Sequence, residues 1–142
     1  MLLEELPAWA HGMLESARVG RLGLLDDAGR PRVLPVTFAV TDGAVYSAVD
    51  RKPKRPGEPA RVRYLRRRPE AALTVDRYED DWTRLAWVQL LGRVELLDPA
   101  EDTRGMEALI AKYEPYRHEP PPGPLLKLVP ERALQWRADA AR

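Results

Sequence analysis

Two turn signals close together constrain this chain more than anything else in it. Asp26-Asp27-Ala28-Gly29-Arg30-Pro31 and Thr41-Asp42-Gly43-Ala44 bracket short apolar runs rich in Val and Leu. Asp-Gly supplies the positive φ of a tight hairpin, so the runs on either side should pair antiparallel. Val19, Leu22, Leu24 and Leu25 make a first strand, residues 32–40 a second and residues 45–49 a third. Pro35 sits inside the second and cannot donate a ladder hydrogen bond, which predicts an edge, a bulge or an open side there.

The rest of the chain adds strands and peripheral helices. Leu2, Leu3, Leu6, Trp9, Ala10, Met13 and Leu14 recur at helical spacing over residues 2–17, with Pro7 tolerable near the start of the ordered helix. Residues 50–58 read as a loop, and residues 59–68 as a helix entered at Pro59 and stopped by Pro69. Residues 71–78 form a fourth strand, and residues 79–82 an acidic connection. Residues 85–97 form a long strand in which Gly92 marks a bend or bulge. A helix over residues 98–113 and a stiff Pro-rich connector over 118–124 precede a last strand, or pair of strands, in residues 125–136. The expected fold is mainly β with peripheral helices, a six-stranded antiparallel barrel, because closure removes exposed strand edges. At 142 residues, the chain is expected to be one domain, residues 1–142.

Composition removes several chemistries. With no Cys there are no disulfides, zinc–thiolate sites or Cys nucleophiles. Two histidines, His11 and His118, are too few and too scattered for a His-rich metal site or a Ser-His-Asp triad. Phosphate-binding Gly-rich loops, the G-x-S-x-G elbow and the H-E-x-x-H helix are absent. No apolar run approaches the ~18 residues that span a bilayer, and no signal peptide is visible, so the expectation is no membrane and a cytoplasmic location.

What stands out is charge placement. Residues 51–68 carry Arg51, Lys52, Lys54, Arg55, Arg61, Arg63, Arg66, Arg67 and Arg68 against Glu58, in a chain of net charge +1. A Pro-stiffened basic loop entering a helix N-terminus has the chemistry of a phosphate clamp. The same run also reads as a solvated face offset by Asp76, Glu79, Asp80 and Asp81. Phe38, Tyr46, Tyr78, Trp82 and Trp87 suit a flat ligand, and equally suit a core or an interface.

Read in order, these pieces are similar to the pyridoxamine 5′-phosphate oxidase-like superfamily. The resemblance is carried by Gly29-Arg30-Pro31 before Leu34-Pro35-Val36-Thr37-Phe38, then Asp42-Gly43, then Val45-Tyr46-Ser47-Ala48-Val49-Asp50. Lys52-Pro53-Lys54, Leu65-Arg66-Arg67-Arg68-Pro69 and Val75-Asp76-Arg77-Tyr78-Glu79-Asp80-Asp81-Trp82 complete it. The stretch from Val49 to Trp82 resembles a branch described as probable F420-dependent enzymes.

The resemblance implies a six-stranded split barrel that forms a homodimer, with coenzyme F420 or FMN held along the interface. Pro35, Val36, Thr37 and Phe38 would lie beside the ring system, with backbone groups toward its heteroatoms. Ser47, Lys52 and Lys54 would hold the phosphate, Arg61 and Arg63 would add contacts from the following helix, and Trp87 and Gly92 would reach the partner's site. The implied activity is that of an oxidoreductase acting on a small organic substrate, with no catalytic acid or base assigned. A non-catalytic flavin-binding or sensory protein and a small-barrel nucleic-acid binder remain the alternatives.

Overall fold

The computed structural model describes residues 1–49 and 58–138. Seven strands form one sheet: β1 (Gly20–Leu25), β2 (Pro31–Val36), β3 (Ala39–Thr41), β4 (Ala44–Ala48), β5 (Glu70–Arg77), β6 (Ala86–Leu97) and β7 (Leu125–Arg137). Their order is β2-β1-β5-β6-β7-β4-β3, antiparallel at every pairing. The sheet curls into a split barrel, and its two free edges belong to β2 and β3, which are neighbours in sequence. Four helices lie outside it: α1 (Ala8–Ser16), α2 (Ala60–Arg67), α3 (Thr103–Lys112) and α4 (Glu114–His118).

The strand count corrects the expected six. Residues 32–40 do not run as one strand; the chain leaves the sheet at Thr37 and Phe38 and re-enters as β3. The Phe38 N–H donates to the Tyr113 hydroxyl rather than to a neighbouring strand, so the ladder cannot continue through it. The turn expected at residues 41–44 is present, with Asp42 and Gly43 at φ 52° and 74°. The N-terminal segment divides at Pro7 into a 3-10 turn (Leu3–Glu5) and α1. The last segment is one long strand, and α4 fills the stretch between the expected helix and the Pro-rich connector, with Pro115 in its first turn, where proline is tolerated.

Gly92 lies at the expected bulge. On either side of it the β6–β7 register passes from Leu91↔Arg132 to Gly92↔Pro130, so Glu131 is the extra residue. A Cβ at Gly92 would fall 2.0 Å from the Val129 carbonyl oxygen, which explains why no side chain is placed there. The bulge also switches which residues of β7 face inward. Ala133 is buried on one side of it, and Leu128 and Leu126 on the other.

Two cores result. The barrel interior collects Leu22, Leu73, Val75, Val88, Leu90 and Leu126, sealed by Leu6, Ala10 and Leu14 of the N-terminal segment and by Val62 and Leu65 of α2. A second cluster, Tyr46, Leu109, Tyr113, Tyr116 and Leu125, packs α3 and α4 onto β4. All five residues of β4 are buried, because one face meets the barrel and the other meets α3. Gly105 makes this approach possible, since a Cβ there would lie 2.3 Å from the Tyr46 ring. The Tyr46 hydroxyl donates to Asp102 at 2.6 Å, and the same carboxylate caps α3 through the Gly105 N–H. That hydrogen bond holds the Asp102 carboxyl below its ordinary pKa, while burial raises that of Tyr46.

Leu14, 1% exposed, seals the barrel from outside. Leu14→Ala should therefore cost about 2–5 kcal/mol, as at other buried leucines. Chemical denaturation checks this, and an unchanged midpoint would make α1 an appendage.

Candidate functional site

The break between β2 and β3 is where the candidate site lies. β2 is paired only with β1, so alternate residues turn their backbone groups away from the sheet. Pro35 is exposed on that strand, while Val36 sends its side chain into the core. Beyond Val36 the chain is held by side chains from distant segments. The Tyr113 hydroxyl accepts the Phe38 N–H at 3.0 Å and has two carbonyl oxygens within reach, Phe38 at 3.0 Å and Arg18 at 2.9 Å. A hydroxyl has one hydrogen, so it serves one of these carbonyls at a time. Ser47 Oγ donates to the Thr37 carbonyl at 2.7 Å, and Thr37 Oγ1 lies 2.8 Å from the Tyr116 hydroxyl. The Tyr113 and Tyr116 rings meet edge to face at 5.6 Å. Burial raises the pKa of the Tyr113 phenol, which keeps its proton available for these bonds.

This network redefines several expected ligand residues. Phe38 is 0% exposed, its N–H is taken by Tyr113, and its ring lies beneath the Lys112 ammonium at 3.9 Å. Its side chain anchors the break, and its N–H is already engaged. Ser47 is buried, and its hydroxyl ties β4 to Thr37 instead of opening toward a phosphate. Thr37 is half-buried, with its hydroxyl and carbonyl both engaged. Pro35, Val36 and Thr37 thus share a backbone edge, with Ser47 behind it. Lys52 and Lys54 lie outside the described residues.

The arginines of α2 are largely committed to the fold. Arg63 Nε lies 3.1 Å from Asp27, and Arg67 lies 3.7 Å from the same carboxylate. Arg66 pairs with Glu58 at 2.7 Å. Arg68 donates to the Asp26 and Asp27 carbonyls at 3.1 and 3.0 Å. Asp27 is in the β1–β2 turn, and about 20 Å of strand separates that turn from Thr37. Arg63, expected to add phosphate contacts from α2, is held at the β1–β2 turn by Asp27 in this structure. Arg61, half-buried in the first turn of α2, is the one arginine of this group without such a partner among the described residues.

Trp87 lies on the outer face of the sheet, directly opposite Trp136 on β7. Both are exposed, at 37% and 44%, and Val33 on the same face is 66% exposed. Val33 lines a shallow groove of about 540 Å³ that also includes Gly23, Leu25, Ala72 and Leu91, with charged Glu70, Glu131 and Arg132 at its margin. At one end of the sheet Tyr78 and Trp82 project, while nearby Arg84 pairs with Glu79 and Thr83 donates its N–H and hydroxyl to Asp81.

Sequence reasoning missed Tyr113, Tyr116 and Asp27. Two tyrosines three apart at a helix end gave no local sign of a partner about 75 residues earlier.

The pyridoxamine 5′-phosphate oxidase family model matches residues 7–137. This chain belongs to the pyridoxamine 5′-phosphate oxidase family. Solved structures of similar fold include an FAD-binding protein from Mesorhizobium loti (21% identity, TM-score 0.69, covering 92% of this chain and 94% of that one). An F420 reductase is similar at 18% identity and a TM-score of 0.67, covering 91% of this chain and 98% of its own. A heme-binding protein from Mycobacterium smegmatis aligns at 20% identity and a TM-score of 0.72, over 97% of this chain and 57% of that one. No protein of curated function matches the sequence. Among the described residues no helix is long and apolar enough to cross a membrane.

The Tyr113 hydroxyl gives this family member a direct test. Tyr113→Phe leaves the Phe38 N–H buried without an acceptor, which should cost about 1–3 kcal/mol. Urea denaturation should show the loss, and full stability would mean that the break holds without the hydroxyl.

Proposed function

We propose that this protein is an oxidoreductase that binds coenzyme F420 or FMN at a homodimer interface and acts on a small organic substrate. The observation that carries the reading is the open backbone edge at Pro35–Thr37, fixed in place by Ser47, Tyr113 and Tyr116, in a chain of this family. An edge held rigid by side chains behind it offers hydrogen bonds to a flat ring at little entropic cost. The F420 reductase and the FAD-binding protein of similar fold support a flavin-type ligand. When bound, such a cofactor supplies the hydride chemistry. The chain would orient the ring along β2 and meet its phosphate with Arg61, Lys52 and Lys54.

The outer sheet face supports the dimer. Val33, Leu25 and Leu91 line one apolar groove, and the exposed Trp87 and Trp136 pair on the same face beyond the Thr74–Gln89 hydrogen bond, apolar groups that a partner would cover. A second copy is the proposed occupant, and Trp87 would then lie close to the partner's cofactor. The nucleic-acid alternative loses support, since Arg63, Arg66, Arg67 and Arg68 are already engaged by carboxylates or carbonyls.

Parallel absorbance and fluorescence titrations with FMN and F420 should show saturable binding of one of them. Lys52→Ala with Lys54→Ala should weaken it about a hundredfold, at roughly tenfold per 1.4 kcal/mol. Arg66→Ala with Arg67→Ala, equal in charge change, should change it little. Equal loss in both would reduce the clamp to diffuse attraction, and no binding of either cofactor would refute the reading.

Light scattering should give a dimer mass at micromolar concentration, and Val33→Glu should shift it toward monomer by burying a charge against its own copy. A monomeric wild type would sink the shared site.

A further inference from the structure

A second pocket, of about 530 Å³, opens between α1, β3 and α3. Its apolar lining is Val40 and Ala108, with the buried Leu14 and Ala39 behind them. Its charged lining is Lys112 and Arg18, with Glu15 the single carboxylate among its lining residues. Lys112 Nζ donates to the Leu14 carbonyl at 3.2 Å, against the C-terminal turn of α1. An ammonium has three donors; beyond the Leu14 carbonyl this one meets the Phe38 and Tyr113 ring faces, at 3.9 and 5.6 Å to their centroids, and no further hydrogen-bond acceptor among the described residues. Arg18 spends one nitrogen on the Lys112 carbonyl at 2.9 Å and lies 4.7 Å over the Tyr113 ring, so further N–H groups remain. Two cations thus converge on an amphipathic pocket. Burial, with the Arg18 charge nearby, pushes the Lys112 amine down to about 8. That cost is relieved by any anion placed between the two.

We propose that this pocket binds a small monocarboxylate with an apolar tail, its carboxylate held between Arg18 and Lys112 and its tail laid along Val40 and Ala108. A phosphate would satisfy the cations but would leave the apolar wall uncovered. The titratable and charged groups around Lys112 are His11 and Glu15 from α1, Arg18 just after it and the Tyr113 phenol beside it, while β3 contributes Thr41 and no charge. The bound anion favours the ammonium form, so binding draws a proton onto Lys112 above pH 8. Affinity must therefore fall as pH rises through that value.

Calorimetry on the full chain with acetate, butyrate and hexanoate tests this, with 1-hexanol as the neutral control. Each pair of added methylenes should tighten binding by about tenfold, provided both reach the wall. Arg18→Gln should weaken hexanoate at least tenfold, and Glu15→Gln, which removes the opposing charge, should strengthen it. Wild-type affinity should drop between pH 7 and pH 9.5. Lys112→Gln should abolish that drop. If that variant does not fold, protection of the wild-type Lys112 amine by hexanoate against acylation with acetic anhydride, which releases acetate, takes its place. Absence of saturable binding, equal affinity for acetate and hexanoate, equal binding of hexanol, or indifference to Arg18→Gln would each overturn the proposal.

Discussion

One buried hydroxyl holds the open seam of this barrel. At Thr37 and Phe38 the backbone leaves β2 without joining another strand, and its polar groups need partners out of water. Tyr113 supplies them, receiving the Phe38 N–H and offering its proton to a carbonyl on either side. Ser47 and Tyr116 complete the arrangement through Thr37. The split therefore stays rigid although it is a gap in the ladder. Everything argued for a cofactor edge depends on this, because a frayed edge would have to be ordered each time a ligand bound.

The same physics separates what was legible in the sequence from what was not. The hairpin at Asp42-Gly43 is set by local φ preference, and α2 is punctuated by Pro59 and Pro69. Gly92 announced a bulge because a missing side chain inside a strand has few other uses. The break at Thr37 was invisible, since its cause is a hydroxyl far along the chain, and Val-Thr-Phe-Ala-Val has strong strand propensity of its own. The bond from Ser47 to Thr37 was illegible for a related reason. A strand buried on both faces has no polar side, so alternation could not say where its hydroxyl points. Arg63 looked like a ligand for phosphate because sequence shows charges but not the Asp27 that meets them across the β1–β2 turn.

Those arginines also bear on how the chain keeps a near-neutral balance. The α2 cations meet a turn of acidic residues and a set of carbonyls, so most of the cluster is spent in fastening the helix to the barrel end. Exposed pairs of this kind contribute little individually. Their collective effect is to leave Arg61, nearest the helix N-terminus, as the uncommitted charge of the described part of the group. Such an arrangement concentrates any attraction for an anion at one end of α2 rather than along its length.

The bulge opposite Gly92 has a consequence for how this protein can vary. Upstream of Glu131 the inward positions of β7 are Leu126, Leu128 and Pro130, and downstream they are Ala133 and Gln135. The odd and even sets exchange roles at a single residue. Shortening the strand there by one amino acid would bring Leu126 and Leu128 out to solvent, or else drive Trp136 toward the interior. The identity of Glu131 is then nearly free, while its presence is not. At that point the chain's length, and not its composition, carries the information that keeps the barrel and its outer aromatic face on their proper sides.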